Sequence, residues 1–176
     1  MDRTNDPRSP IVTGSFRDRD TAERAYDSLL RRGYSPDEIH VIMSDDTRKR
    51  DFKDVKGKTD LGNKALEGAG VGGAVGGALG ATLLAVAAAA TTLAIPGIGL
   101  VIAGPLAGAL AGGAIGGAAG TLVGALVGAG IPEDRAKVYE SDVKNGGIVL
   151  GVQPRDDRHA VELEREWSTT GEHVYR

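Results

Sequence analysis

An α+β fold with a long helical insertion is what this sequence predicts, and three observations lead to it. Residues 10–44 hold a β-branched run, PIVTGSF, then an amphipathic helical pattern, then a second apolar run, IHVIM. Residues 147–176 repeat that order with IVLGV, a helical pattern through Ala160, Leu163 and Trp167, and EHVYR. Between them lie residues 68–132, sixty-five positions without one Asp, Glu, Lys, Arg or His.

The first run alternates well enough, with β-branched residues, to be a strand. Asp20 with Glu23 three residues later predicts a capping box. Ala22, Ala25, Tyr26, Leu29 and Leu30 then fall on one helical face, and Gly33 ends it. Ser35, Pro36 and Glu38 predict a short capped turn before the strand IHVIM. GSF lacks the repeated Gly and the Lys of a phosphate loop, so it is expected to be a strand end.

Residues 45–64 are expected to be a charged linker. Arg48, Lys49, Arg50, Lys53, Lys56, Lys58 and Lys64 lie there among acidic residues, before the uncharged stretch. Arg135, Lys137 and Lys144 follow it, so a hairpin entering a bilayer would keep both ends in the cytoplasm. A solvated tether of mixed charge is the plainer reading of the same run.

The uncharged stretch holds nineteen Gly, nineteen Ala and twenty Leu, Val or Ile, and only Thr82, Thr91, Thr92 and Thr121 have polar side chains. Gly104, Gly108, Gly112, Gly116, Gly120, Gly124 and Gly128 recur every four residues, and Gly68, Gly72, Gly76 and Gly80 form a shorter row. Residues four apart share one side of a helix, and a row of Gly leaves a groove for a second backbone. Residues 65–131 are therefore expected to be a helical hairpin, turning at Pro96, Gly97, Gly99 and Pro105, with the two glycine rows as its packing interface. Each interior Gly costs about 1 kcal/mol relative to Ala, so such helices need neighbours. A spacing of four also winds the row about 40° per step around its helix, more over its length than one straight partner covers. That geometry predicts a homo-oligomer. A flexible linker would be expected to carry Ser and charge instead of twenty branched aliphatics.

Residues 132–176 return to an amphipathic pattern. Pro132 starts a helix, Glu133 and Asp134 occupy its first turn, Ala136, Tyr139 and Val143 form its buried stripe, and Asn145, Gly146 and Gly147 stop it. IVLGV reads as a central strand, and Asp156 or Asp157 caps the helix that follows. Joined across the insertion, the halves give βαβ–βαβ, the ferredoxin-like order, split between its second and third strands. Those strands are antiparallel neighbours, so an inserted hairpin can leave and return side by side. Two independent domains are the alternative, but each half is too short for its own core.

Composition narrows the chemistry. A net charge of −3 makes no case for nucleic acid, and the absence of Cys removes disulfides, thiolate metal sites and a Cys nucleophile. Residues 1–9 are polar, are expected to be disordered, and lack an apolar signal core, which predicts a chain that is not secreted. His40, His159 and His173 have no metal-ligand spacing, and Ser15, Ser28 and Ser44 have no paired His in a recognisable motif. Asp45 and Asp46 are expected in a solvated loop more than around a cation. Tyr26, Tyr34, Tyr139 and Trp167 are expected in the core. No catalytic, cofactor-binding or metal-binding residue is assigned, and no cofactor is expected.

GSFRDRDTAERAYDSLLRRGYSPDEIHVIMSDD resembles the N-terminal unit of the bacterial general stress protein family, also called heat-induced stress proteins. AIPGIG, the long zipper and GALVGAGIPEDRAKVYESDVKNGGIVLGV are similar to its zipper-containing members, and the likeness covers nearly the whole chain. It implies a stress-associated protein with no established active site, so no catalytic residues carry over. The expected function is a non-enzymatic stress protein that homo-oligomerises through glycine-zipper helices at the cytoplasmic side of the inner membrane. Its partners would be itself and membrane lipid. Each arm exceeds the roughly 20 residues that cross a bilayer, but the turn at residues 93–106 has no polar or aromatic anchor for the far side. One alternative is therefore a soluble particle or filament that buries the zippers without lipid. The other is a membrane-anchored sensor whose small domain binds a ligand or partner.

Overall fold

The computed structural model describes residues 11–52, 91–95, 98–104, 122–128 and 131–176. Along the chain these form β1 (Val12–Phe16), α1 (Arg19–Arg31), a 3-10 turn (Pro36–Glu38), β2 (Ile39–Ser44) and α2 (Asp45–Asp51). Then come β3 (Thr91–Ile95), β4 (Ile98–Ala103), α3 (Leu122–Gly128), α4 (Glu133–Lys144), β5 (Ile148–Val152), α5 (Asp157–Trp167) and β6 (His173–Tyr175). The strands make one six-stranded sheet in the order β3-β4-β2-β5-β1-β6, and every neighbouring pair is antiparallel. The α+β class expected from the sequence is what the chain adopts.

Both faces of this sheet are covered. Successive residues of a strand point to opposite faces. Accordingly Val41 and Met43 of β2 join a core with Ala22, Tyr26 and Leu29 of α1 and Leu163 and Trp167 of α5. Ile42 between them joins a second core with Leu122 and Leu126 of α3 and Ala136, Tyr139 and Val143 of α4. Three layers result: α1 and α5, the sheet, then α3 and α4. Burial on both sides explains why IHVIM and IVLGV read as continuous apolar runs, and why every residue of β2 and β5 is buried. The four aromatic residues assigned to the core are there, with Tyr26, Tyr139 and Trp167 fully buried.

Local chemistry sets the element ends. The side chain of Asp18, two residues after β1, accepts from the Thr21 N–H at 2.8 Å and caps α1. The expected Asp20–Glu23 box is therefore not the cap: Asp20 sits in the first turn, and Glu23 pairs with Arg19 at 2.7 Å. At the other end Tyr34 N–H bonds Leu29 O and Gly33 N–H bonds Leu30 O, with Gly33 at φ 85°. The same paired closure ends α4, from Gly147 to Asp142 and from Gly146 to Val143, with Gly146 at φ 93°. Only glycine takes that left-handed conformation cheaply, so both helices stop where the sequence puts one. Ser35 and Glu38 form the capping box expected of the 3-10 turn, and Asp156 is the residue that caps α5.

Two expectations are corrected. The linker assigned to residues 45–64 begins as α2: Ser44 accepts from Thr47 N–H at 3.0 Å, acidic residues fill the first turn and basic ones the last. That charge order matches the helix dipole, and Phe52 just beyond α2 is buried in the first core. Residues 53–64 lie outside the described set. The hairpin expected to be helical over residues 65–131 instead contributes two strands. Ile95 pairs with Ile98, and β4 pairs with β2 from Val41↔Ala103 to Ser44↔Leu100. The reason is the edge of β2, whose backbone groups on that side β4 satisfies. Of the expected zipper helices, only α3 lies among the described residues.

Candidate functional site

The residues assigned to a packing interface divide into three groups. Gly68, Gly72, Gly76, Gly80, Gly108, Gly112, Gly116 and Gly120, with Pro96, Gly97 and Pro105 of the expected turn, lie outside the described residues. Gly99 lies in the sheet and Gly104 directly follows its strand β4. Gly99 is inside β4, where a Cβ would come 2.8 Å from Cβ of Asp45, so its small size lets α2 approach the strand. Gly104 follows β4 at φ 86°, and a Cβ there would lie 2.1 Å from the Ile39 carbonyl oxygen. It is not a helical zipper member: it lets the chain leave the β2 edge against bare backbone.

Gly124 and Gly128 form the third group and lie in α3 as expected. The partner of α3 is the chain's own α4. Leu122 and Leu126 are buried in the second core, and Val123 N–H donates to Glu140 Oε2 at 3.1 Å. Lys144 pairs with the same carboxylate and, as the first cause, holds its pKa below the usual range. The contact with α4 runs through Leu122, Val123 and Leu126, whereas Gly124 and Gly128 lie two positions along, about 200° around the helix from the two leucines.

A row of polar groups crosses the α4-covered face. His40 on β2 and Thr13 on β1 flank Gly151 on β5 in register. A Cβ at Gly151 would meet His40 Cδ2 and Thr13 Cγ2 at 3.3 Å each, so the bare position gives both side chains room. Tyr139 of α4 donates its hydroxyl to Thr13 Oγ1 at 2.6 Å. Burial pushes the phenol pKa up and holds the His40 imidazole down at about 4. His40 is therefore neutral at neutral pH. Ser15, one row along, is fully buried, and its hydroxyl has no hydrogen-bond partner among the described residues. The Thr13 hydroxyl is taken by a phenol, and the arrangement ties α4 to the sheet without assembling an activated nucleophile.

Two shallow polar grooves open on the surface. One, of 280 Å³, is lined by Ser44, Thr47, Arg50, Lys144 and Gly146 among others. Its cations are already paired, Arg50 with Asp51 and Lys144 with Glu140. The other, of 390 Å³, is lined by Arg17, Asp18, Arg19, Asp20, Arg50 and Asp51, whose opposite charges offset one another. Asp45 pairs with Lys49 and Arg48, which hold its carboxyl below the usual range, and it helps order α2. His173 lies 2.9 Å from Asp142, while the His159 backbone N–H donates to Asp156. Among the described residues no group of three or more His, Cys, Asp or Glu is placed to hold a metal ion. No helix among them is long and apolar enough to cross a membrane.

The chain is an α+β protein built on a doubly covered antiparallel sheet. Comparison with protein-family models, curated proteins and solved structures returns no match. Sequence reasoning missed the β3–β4 hairpin, although the cluster Thr91, Thr92, Ile95, Ile98, Val101 and Ile102 is a β-branched signal. It also missed the His40–Gly151–Thr13 row, which exists only through strand register and leaves no local pattern.

Proposed function

We propose that this chain is a non-enzymatic bacterial stress protein that assembles with copies of itself through its glycine rows. One observation carries this. The sheet already has helices on both faces, yet residues 68–90 and 105–121 add forty further residues without a charge. Apolar sequence of that length needs packing partners, and interior glycine at such density is unfavourable unless another backbone comes close. The resemblance to the general stress proteins supports the stress role. In this reading β1, α1, β2, β5, α5 and β6 are one ferredoxin-like unit, supported by the order β2-β5-β1-β6 and by α1 and α5 sharing a face. The β3–β4 hairpin extends it beyond β2.

Burial of Leu100, Val101 and Ile102 in the sheet favours an assembly that hides the rows in its own interior over one that dips its tip into lipid. Attachment to the cytoplasmic face of the inner membrane is the second reading, favoured by the basic residues that precede the uncharged stretch. Size-exclusion chromatography with and without detergent tests both. A large, monodisperse species without detergent supports the first, and recovery only with detergent supports the second. Gly116→Leu fills the groove and should reduce the assembly's size; an unchanged size would show that the rows are not the contact.

A further inference from the structure

Asparagine occurs as Asn5, Asn63 and Asn145, and only Asn145 is followed by Gly. That pair ends α4. Asn145 is exposed and helps line the 280 Å³ groove, so water reaches it. Gly146 is required there by its φ of 93°, and a Cβ would come 3.1 Å from an Arg50 guanidinium nitrogen. The residue that lets the helix stop therefore also leaves the nitrogen after an asparagine with no side chain to shield it.

We propose that Asn145–Gly146 is a deamidation site held unreactive by the closed end of α4, and that it is modified when that end opens. The reaction needs only water. The Gly146 nitrogen loses its proton and attacks Asn145 Cγ, the bond from Cγ to Nδ2 breaks, and Nδ2 leaves as ammonia. Water then opens the cyclic imide at either carbonyl, giving aspartate, or isoaspartate with the backbone rerouted through the side chain. The folded geometry opposes the first step. At ψ 6° the Gly146 nitrogen is nearly eclipsed with the nitrogen of Asn145 instead of with its Cβ, so Cγ is turned away from it. The Gly146 N–H is committed to Val143 O at 3.1 Å, and the Gly147 N–H to Asp142 O at 2.8 Å. The Asn145 amide lies back along α4, with Nδ2 3.5 Å from Ser141 Oγ. From α2, Thr47 Oγ1 donates to Gly146 O at 3.2 Å and steadies the turn. Once formed, isoaspartate lengthens the main chain inside the closure by a methylene, which breaks the spacing of its hydrogen bonds. Either product also sets a negative charge at the negative end of the helix dipole.

The full chain is held at mildly alkaline pH in buffer and in guanidinium chloride, with Trp167 fluorescence reporting the folded state. Peptide mapping by mass spectrometry follows conversion of each Asn amide to an acid. In guanidinium, Asn145 should convert ahead of Asn5 and Asn63, with aspartate and isoaspartate products separating by chromatography. In buffer its rate should fall about tenfold or more, because each of the two closing hydrogen bonds contributes a factor of several. Gly147→Ala leaves the Asn–Gly pair intact but sets a Cβ 2.9 Å from Asp142 O, and should raise the rate in buffer toward that of the unfolded chain. A Gly147→Ala chain that folds and reacts no faster overturns the closure as the gate, as do equal wild-type rates in buffer and guanidinium. An Asn145 that stays unmodified in guanidinium overturns the site itself. Should Gly147→Ala not fold, the wild-type comparison alone decides.

Discussion

Lowering the pH should loosen the α4-covered face through His40. His40 is only 7% exposed, and burial holds its pKa at about 4, against a value near 6.5 in the unfolded chain. Because the folded value is the lower one, the unfolded chain binds the extra proton first. The contribution is fully present above the unfolded pKa and is lost as pH falls from about 6.5 toward about 4. A shift of this size removes about 2 kcal/mol by pH 5 and about 3 kcal/mol by pH 4. Urea unfolding at fixed protein concentration, followed by fluorescence of the single buried Trp167, measures it. His40→Gln provides the reference: it has its own stability cost, but that cost does not titrate. The wild-type curve should drop relative to the variant between pH 6.5 and 5, above the range where carboxylates titrate. Parallel curves across that window would refute the burial argument, as would a His40 ring signal that titrates near 6.5 in the folded protein.

Two substitutions test how the hairpin and α4 are held. Gly104→Ala forces a Cβ into the Ile39 carbonyl at a left-handed φ and should destabilise the fold by at least about 1–2 kcal/mol; loss of amide protection should be greatest in β4 by hydrogen exchange, and a wild-type exchange pattern would count against the β2–β4 pairing. Tyr139→Phe leaves the buried Thr13 hydroxyl without its donor and should cost about 1–3 kcal/mol in urea unfolding; a neutral result would mean that the Tyr139–Thr13 bond does not tie the helix to the sheet.

Where one residue both caps an element and ends its pattern, the sequence was legible. Gly33 and Gly146 mark the ends of α1 and α4 because left-handed closure requires glycine there, and Ala136, Tyr139 and Val143 mark the buried side of α4 because helical spacing leaves one choice. α2 was hidden by its composition. Its seven residues are all charged except Thr47, so no apolar stripe shows, although Ser44 and the acidic-then-basic order were the true signals. The polar row under α4 could not be read at all. Residues 13, 40, 139 and 151 meet through pairing across three strands and a helix.

The hairpin shows how one pattern can support two structures. A four-residue glycine spacing is a helical argument only while it is unbroken, and between Gly80 and Gly104 it lapses. In that gap glycine falls to Gly97 and Gly99, and β-branched residues concentrate in β3 and β4. The absence of charge, which suggested a bilayer, serves equally well for strands: β4 has Leu100, Val101 and Ile102 buried at the flank of a doubly covered sheet. Gly104 joins the two readings. By spacing it opens the long zipper row, yet its positive φ and its closeness to Ile39 show a residue required by the end of a strand. Spacing records which residues could share a helix face, and the unpaired edge of β2 decides that these residues become strand.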